Sequence, residues 1–175
     1  DLHYPLRRQR QMCIRDRNKS IGSFAIPIQA PLLIKPKQKR QVRSQFAALC
    51  YRLLDGEANF LLITSRRTKR WILPKGWPEN NMTPAESAAN EAFEEAGVTG
   101  DHNERPLGMY IYEKSSLSGE SYPCLVTVFS LEVEKVLPDY PEKAERQREW
   151  FNRLDTLKRV KEPELKLLIK TFNPT

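Results

Sequence analysis

Residues 76–98 read GWPENNMTPAESAANEAFEEAGV, and this stretch decides the fold because it combines a loop, a helix start and a helix end. Residues 74–81 hold two prolines, one glycine and two asparagines, which predicts a loop. Thr83 and Glu86 have the spacing of a capping box, and a proline follows Thr83 at the first helical position. Gly97 suits the position after a helix C-terminus. The stretch therefore predicts a helix between Thr83 and Gly97.

Three glutamates lie on one face of this predicted helix. Glu91, Glu94 and Glu95 are at positions i, i+3 and i+4, a spacing that costs a few tenths of a kcal/mol per pair through repulsion. A hard divalent cation such as Mg²⁺ would bind these carboxylates and remove the repulsion. The alternative is a solvated acidic face. The other side of the helix carries small residues that allow close packing on a sheet, namely Ala85, Ala88, Ala89, Ala92 and Ala96.

Short apolar segments around this helix predict a mixed sheet. The predicted strands are residues 46–54, 59–64, 71–73, 109–112, 122–133 and 149–151. Asp55 and Gly56 predict a tight turn between the first two strands. Asp155 is expected to cap a short helix over residues 156–160, and residues 162–172 predict a final helix. One central helix between strands, with further helices at the end, predicts the α/β class with an α/β/α layering.

The stretch also resembles the Nudix box, G-x5-E-x7-R-E-U-x-E-E-x-G-U. Two positions depart from it, since Met82 stands where the box has Glu and Asn90 stands where it has Arg. Residues 45–172 are similar to the branch of the Nudix hydrolase family that acts on diphosphoinositol polyphosphates and diadenosine polyphosphates. That resemblance implies a Nudix-type α/β/α sandwich with a mixed sheet. The matching box positions are Gly76, Glu91, Ala92, Glu94, Glu95, Gly97 and Val98.

The resemblance implies a metal site that holds Mg²⁺ or Mn²⁺. Its ligands would be Glu91, Glu94, Glu95 and the backbone carbonyl of Gly76. The reaction it implies is hydrolysis of a pyrophosphate bond by an activated water molecule, with Glu94 or Glu91 as the general base. The two departures predict slower catalysis or weaker metal binding, because an asparagine cannot supply the charged, bidentate contacts of an arginine.

A polyphosphate substrate requires cations near the metal site. Arg66, Arg70 and Lys75 lie just before or inside the predicted metal loop, and we expect them to bind phosphoryl oxygens. Two alternatives stay open. One is a Nudix hydrolase of another nucleoside diphosphate derivative, such as a nucleoside triphosphate, a nucleotide sugar or ADP-ribose. The other is a non-catalytic module that binds polyphosphate or RNA.

The positive charge of the chain is concentrated at its start. Residues 1–45 hold eleven Lys/Arg and two Asp/Glu, so their charge is 11 − 2 = +9, whereas residues 46–175 carry 18 − 20 = −2. Residues 12–17, MCIRDR, resemble a translated sequencing adapter. We therefore expect residues 1–44 to form a basic, poorly ordered and partly non-native arm, and residues 45–175 to form the Nudix domain.

Composition also indicates the location and the kind of partner of the protein. Cys13, Cys50 and Cys124 are odd in number and widely spaced, which argues against a disulfide framework and favours a reducing, cytoplasmic location. The predicted partner is a small polyphosphate. We expect neither a membrane nor a nucleic acid as a partner, since the body of the chain is slightly acidic and lacks a long apolar run. The sequence leaves the oligomeric state open.

Overall fold

The computed structural model describes residues 29, 32, 42–115 and 119–174. Most of the predicted arm, residues 1–44, lies outside this part of the chain, and the domain boundary at residue 45 stays a prediction. The elements in chain order are β1 (Arg43–Leu54), β2 (Glu57–Thr64), β3 (Trp71–Ile72), β4 (Lys75–Gly76), α1 (Pro84–Ala96), β5 (Val98–His102), β6 (Gly108–Ser115), β7 (Ser121–Val136), β8 (Arg148–Asn152), α2 (Arg153–Arg159) and α3 (Pro163–Thr171).

The sheet is mixed, as predicted, and β1 and β7 form its centre. These two strands pair in parallel over nine positions, whereas their other pairings are antiparallel. The order along the sheet is β3-β2-β1-β7-β5, while β4 pairs with β1, β6 with β7 and β8 with β2. The predicted turn is present, because Asp55 and Gly56 both have positive φ angles and close the hairpin between β1 and β2.

Alternating side chains of β1 divide the interior into two cores, one on each face of the sheet. Ala47 and Leu49 point to the face covered by α3, whose Leu165 and Leu168 are fully buried there together with Phe172. Ala48 and Cys50 point to the opposite face, which is covered by the buried alanines of α1. The period of two along the strand thus produces the predicted α/β/α sandwich.

Two local predictions were wrong, and one strand was missed. The predicted loop at residues 74–81 contains β4, because Lys75 and Gly76 pair with Ala47 and Phe46 of β1. Asp155 does not cap α2, since Asn152 accepts a hydrogen bond from the Asp155 backbone N–H and is the N-cap residue. The edge strand β5 was not predicted, because its sequence VTGDH has little apolar character and a register shift interrupts its pairing.

The helices of the described residues are short. None of them is both long enough and apolar enough to cross a membrane.

Candidate active site

The capping box predicted for α1 is present. The Thr83 hydroxyl accepts a hydrogen bond from the Glu86 backbone N–H at 3.1 Å, and the Glu86 carboxylate accepts one from the Thr83 backbone N–H at 2.7 Å. At the other end Gly97 adopts the left-handed conformation with φ of 60°. Both ends of α1 are therefore fixed, which holds the three glutamates of its second half at defined positions.

Gly76 lies directly against the Glu91 carboxylate. A Cβ atom added at Gly76 would overlap both Glu91 oxygens, so the close approach requires a residue without a side chain. Burial, followed by the negative charges of Glu95, Glu94 and Glu79, raises the pKa of Glu91 from 4.5 to about 7. The site therefore holds a carboxyl group that gains and loses its proton near neutral pH.

Glu95 is buried and has a hydrogen-bond partner at each carboxylate oxygen. Oε2 accepts a hydrogen bond from the Lys75 backbone N–H at 2.9 Å, and Oε1 contacts Nη2 of Arg146. Only 7% of the side-chain surface of either Glu95 or Arg146 is exposed. This buried ion pair connects α1 to β4 and to the segment that precedes β8.

Glu94 has a neutral partner. The Asn90 side-chain amide donates a hydrogen bond to Glu94 Oε1 at 3.2 Å, so an uncharged group occupies the position where the box has arginine. Arg146 was missed by the sequence analysis, because it is 51 positions from Glu95 in the chain. The one signal in the sequence was its position within residues 45–172, which resemble the family.

The donor set fits a hard divalent cation. Carboxylate oxygens and a backbone carbonyl are the ligands that Mg²⁺ and Mn²⁺ prefer. The Glu91 carboxylate and the backbone of Gly76 are already adjacent. Within the described residues, no three Asp, Glu, His or Cys side chains converge closely enough to hold a metal as they stand. Side-chain rotations would have to complete the site.

A cleft of about 970 Å³ joins these glutamates to a group of cations. Its lining includes Glu91, Glu94 and Glu95, and the cationic lining residues are Arg66, Arg67, Arg70, Lys75, Lys114, Arg146 and Lys161. All three predicted substrate-binding residues therefore line the same cleft as the predicted metal ligands. Their shared location is what a substrate with several phosphate groups requires, since cations bind its oxygens beside the carboxylates.

The three predicted cations differ in how strongly they are already paired. Arg66 forms ion pairs with Glu142 and with Glu145, the latter at 2.7 Å. Arg70 donates to Glu162 at 2.8 Å. Lys75 forms no ion pair with a described residue, and its ammonium group lies 5.1 Å from the centre of the Tyr112 ring.

Burial, together with the positive charges of Lys114, Arg146 and Arg70, lowers the pKa of Lys75 from 10.5 to about 8. The nearby Glu95 charge acts in the opposite direction. Lys75 is therefore still mostly protonated at neutral pH. A bound anion would offset the free energy that burial of this positive charge costs.

The aromatic residues near the cleft have different environments. Tyr110 is 2% exposed and belongs to the core, so it cannot stack on a ligand. Tyr112 donates a hydrogen bond to Gln45 at 2.6 Å and lines the cleft. Trp77 is 38% exposed, and Lys114 lies 4.4 Å from the centre of its ring.

Residues 43–172 match the sequence pattern of the NUDIX domain. The chain belongs to the Nudix family. The Nudix fold and the family predicted from residues 76–98 are therefore confirmed. The matched segment begins with β1 and ends with Phe172, so it contains every strand and helix of the described residues.

Curated relatives of this Nudix chain carry the names of hydrolases. It is 32% identical over 142 residues to Nudix hydrolase 13, mitochondrial, of Arabidopsis thaliana, which covers 78% of this chain and 65% of the relative. It is 33% identical over 131 residues to diphosphoinositol polyphosphate phosphohydrolase 2 of Homo sapiens, which covers 71% of this chain and 68% of the relative. These names agree with the predicted enzyme class, and the mitochondrial relative leaves the cytoplasmic location a prediction.

The alignment with Nudix hydrolase 12, mitochondrial, of Arabidopsis thaliana covers only 46% of that relative. The chain thus spans between about half and two thirds of the length of these two plant relatives.

Solved Nudix structures share the fold. The Caenorhabditis elegans Ap4A hydrolase binary complex superposes with a TM-score of 0.55 at 21% identity, covering 74% of this chain and 94% of that chain. The NUDIX domain of Shewanella oneidensis NrtR, in complex with ADP ribose, gives a TM-score of 0.51 at 13% identity, covering 73% and 83%. At these identities the likeness concerns the fold alone.

Proposed function

We propose that this chain hydrolyses a pyrophosphate bond in a polyphosphate substrate, in a reaction that depends on Mg²⁺ or Mn²⁺. The proposed substrate is a diadenosine polyphosphate or a diphosphoinositol polyphosphate. One observation carries the proposal, namely that a single cleft is lined by Glu91, Glu94 and Glu95 and by seven cationic side chains. The names of the curated relatives, which include diphosphoinositol polyphosphate phosphohydrolases, support the substrate class.

Glu91, Glu94, Glu95 and the Gly76 carbonyl are the residues that would hold the metal. When bound, a divalent cation supplies charge neutralisation at the phosphate and lowers the pKa of a coordinated water. One candidate for the general base is Glu91, whose carboxylate lies against the backbone of Gly76. Glu94, which accepts a hydrogen bond from Asn90, is the second candidate.

The cations of the cleft would orient the phosphate chain. Lys75 directly precedes Gly76 and carries a mostly protonated ammonium group that lacks an ion pair within the described residues, so it is ready to bind a phosphoryl oxygen. Arg66 and Arg70 would have to exchange their contacts with Glu142, Glu145 and Glu162 for contacts with substrate. We therefore expect Lys75→Gln to raise KM about 10-fold, the cost of losing one charge-assisted hydrogen bond.

Hydrolysis of a substrate panel tests this function. The panel contains diadenosine tetra-, penta- and hexaphosphate, a diphosphoinositol polyphosphate, ADP-ribose and nucleoside triphosphates, each with Mg²⁺ or Mn²⁺ and with EDTA. Glu94→Gln tests the site, and Glu134→Gln is the matched control, since Glu134 is an exposed residue of β7 away from the cleft. Metal-dependent cleavage of the first two classes that is lost in Glu94→Gln supports the proposal.

Other outcomes of the same panel would contradict it. Preferred cleavage of ADP-ribose or a nucleoside triphosphate would keep the hydrolase and replace the substrate class. Binding of these compounds without cleavage, at any metal concentration, would favour the non-catalytic module that Met82 and Asn90 first suggested.

A further inference from the structure

Arg146 lies on the segment between β7 and β8 and donates from all three of its guanidinium nitrogens. Nη2 contacts Glu95 on α1, Nε donates to Glu142 at 2.6 Å, and Nη1 donates to the backbone carbonyl of Thr64 at 3.1 Å. These partners belong to three separate parts of the fold. Since the side chain is 7% exposed, the charge is stabilised by these contacts and little by water.

The contact with Glu95 reaches the metal loop. The other oxygen of Glu95 accepts the backbone N–H of Lys75, the residue before Gly76, so Arg146 and β4 are held by the same carboxylate. Of the three predicted metal ligands on α1, Glu95 is the one that contacts a guanidinium of the described residues, whereas Glu94 receives the neutral amide of Asn90.

We propose that Arg146 is a positioning residue of the active site, which fixes the Glu95 carboxylate and thereby holds β4 and the Gly76 carbonyl against α1. The expected effect of Arg146 on catalysis rests on the proposed function, whereas its expected effect on the position of β4 does not. The guanidinium is suited to this task because its planar N–H groups address three acceptors at once, whereas a lysine at position 146 could not satisfy all three in the same geometry.

The test compares Arg146→Gln and Arg146→Lys with Arg148→Gln. Arg148 is a matched control because it also contacts the C-terminal end of α1, through the Ala96 carbonyl at 2.5 Å, yet it contacts no carboxylate of the described residues. Three quantities are measured for each full-length variant. They are the hydrogen-exchange protection of the Lys75 amide without metal, the affinity for Mn²⁺, and kcat and KM for diadenosine tetraphosphate.

We expect both Arg146 variants to lose protection at the Lys75 amide and to bind Mn²⁺ about 10- to 100-fold more weakly, the usual cost of removing a group that orients a metal ligand. Their kcat should fall as well. Because Arg146 also lines the cleft, the Mn²⁺ affinity and the Lys75 protection, both measured without substrate, separate the positioning of Glu95 from a direct contact with substrate. Arg148→Gln should keep the Lys75 protection and the Mn²⁺ affinity of the wild type.

Three results would overturn the inference. They are an unchanged Lys75 amide in the Arg146 variants, an equal loss of Mn²⁺ affinity in Arg148→Gln, or wild-type behaviour of Arg146→Lys. If Arg146→Gln does not fold, Arg146→Lys alone decides the question, since lysine retains the positive charge but cannot place donors at the three acceptors of the guanidinium. A wild-type protein that hydrolyses nothing would contradict the proposed function and leave the Lys75 amide measurement valid, so the two failures are distinguishable.

Discussion

Replacing Glu91 by glutamine should stabilise the metal-free protein. Burial and three neighbouring glutamates raise the pKa of Glu91 from 4.5 to about 7, so the folded state disfavours its negative charge. The shift corresponds to about 3 kcal/mol at about 1.4 kcal/mol per pKa unit. Because Glu91 is only partly buried and water screens part of the repulsion, we expect Glu91→Gln to add about 1–2 kcal/mol at pH 8.

The sign of the pH dependence follows from the proton balance. Between pH 4.5 and about 7 the folded state binds the Glu91 proton while the unfolded chain has released it, so the free energy of unfolding of the wild type falls as pH rises. Glutamine has no such dependence. The advantage of Glu91→Gln should therefore be complete at pH 8 and shrink to a few tenths of a kcal/mol at about pH 4.5.

Thermal unfolding in EDTA measures this effect. At pH 8 the melting temperature of Glu91→Gln should exceed that of the wild type by about 3–8 °C for a domain of this size. The control Glu134→Gln, at an exposed position of β7, should have the melting temperature of the wild type both at pH 8 and at about pH 4.5. The reasoning would be refuted by a variant no more stable than the wild type at pH 8, or by an equal gain at both pH values.

Three further perturbations test the fold and the site. Gly76→Ala should displace the Glu91 carboxylate and lower kcat/KM at least about 10-fold, as measured by steady-state kinetics. The free energy of unfolding, measured in urea, should change by less than about 1 kcal/mol, because only a flexible side chain has to move. Thr83→Ala removes the cap that pairs with Glu86 and should cost about 1 kcal/mol in urea unfolding, and an unchanged midpoint would contradict the role of the capping box. Leu168→Ala should cost about 2–5 kcal/mol, and a loss below about 1 kcal/mol would mean that α3 is not packed on the sheet as described.

Local rules predicted the parts of the structure that local interactions determine. The capping box of Thr83, the left-handed Gly97 and the Asp55–Gly56 turn each depend on residues within a few positions, and all three are present. The packing of α1 on the sheet was also predicted, because its small alanine side chains lie along one side of the helix.

The contacts that sequence reasoning missed are long-range. The two-residue strand β4 exists because Gly76 pairs with Phe46, thirty positions earlier, and β5 exists because β7 offers it an edge. Arg146 shows no pattern in the sequence that would associate it with Glu95. In each case the partner is supplied by the tertiary fold, which a short window of sequence does not contain.

The parallel pairing at the centre of the sheet also constrains how the chain folds. Ala47 and Val128, which are partners in β1 and β7, lie 128 − 47 = 81 positions apart in the sequence. Closing so long a loop costs chain entropy before any of the central hydrogen bonds form, and domains dominated by such distant contacts fold slowly. During synthesis, β1 therefore emerges from the ribosome long before its principal neighbour, and until β7 follows, its strand partners are β2 and β4, which leave one edge of β1 exposed to aggregation.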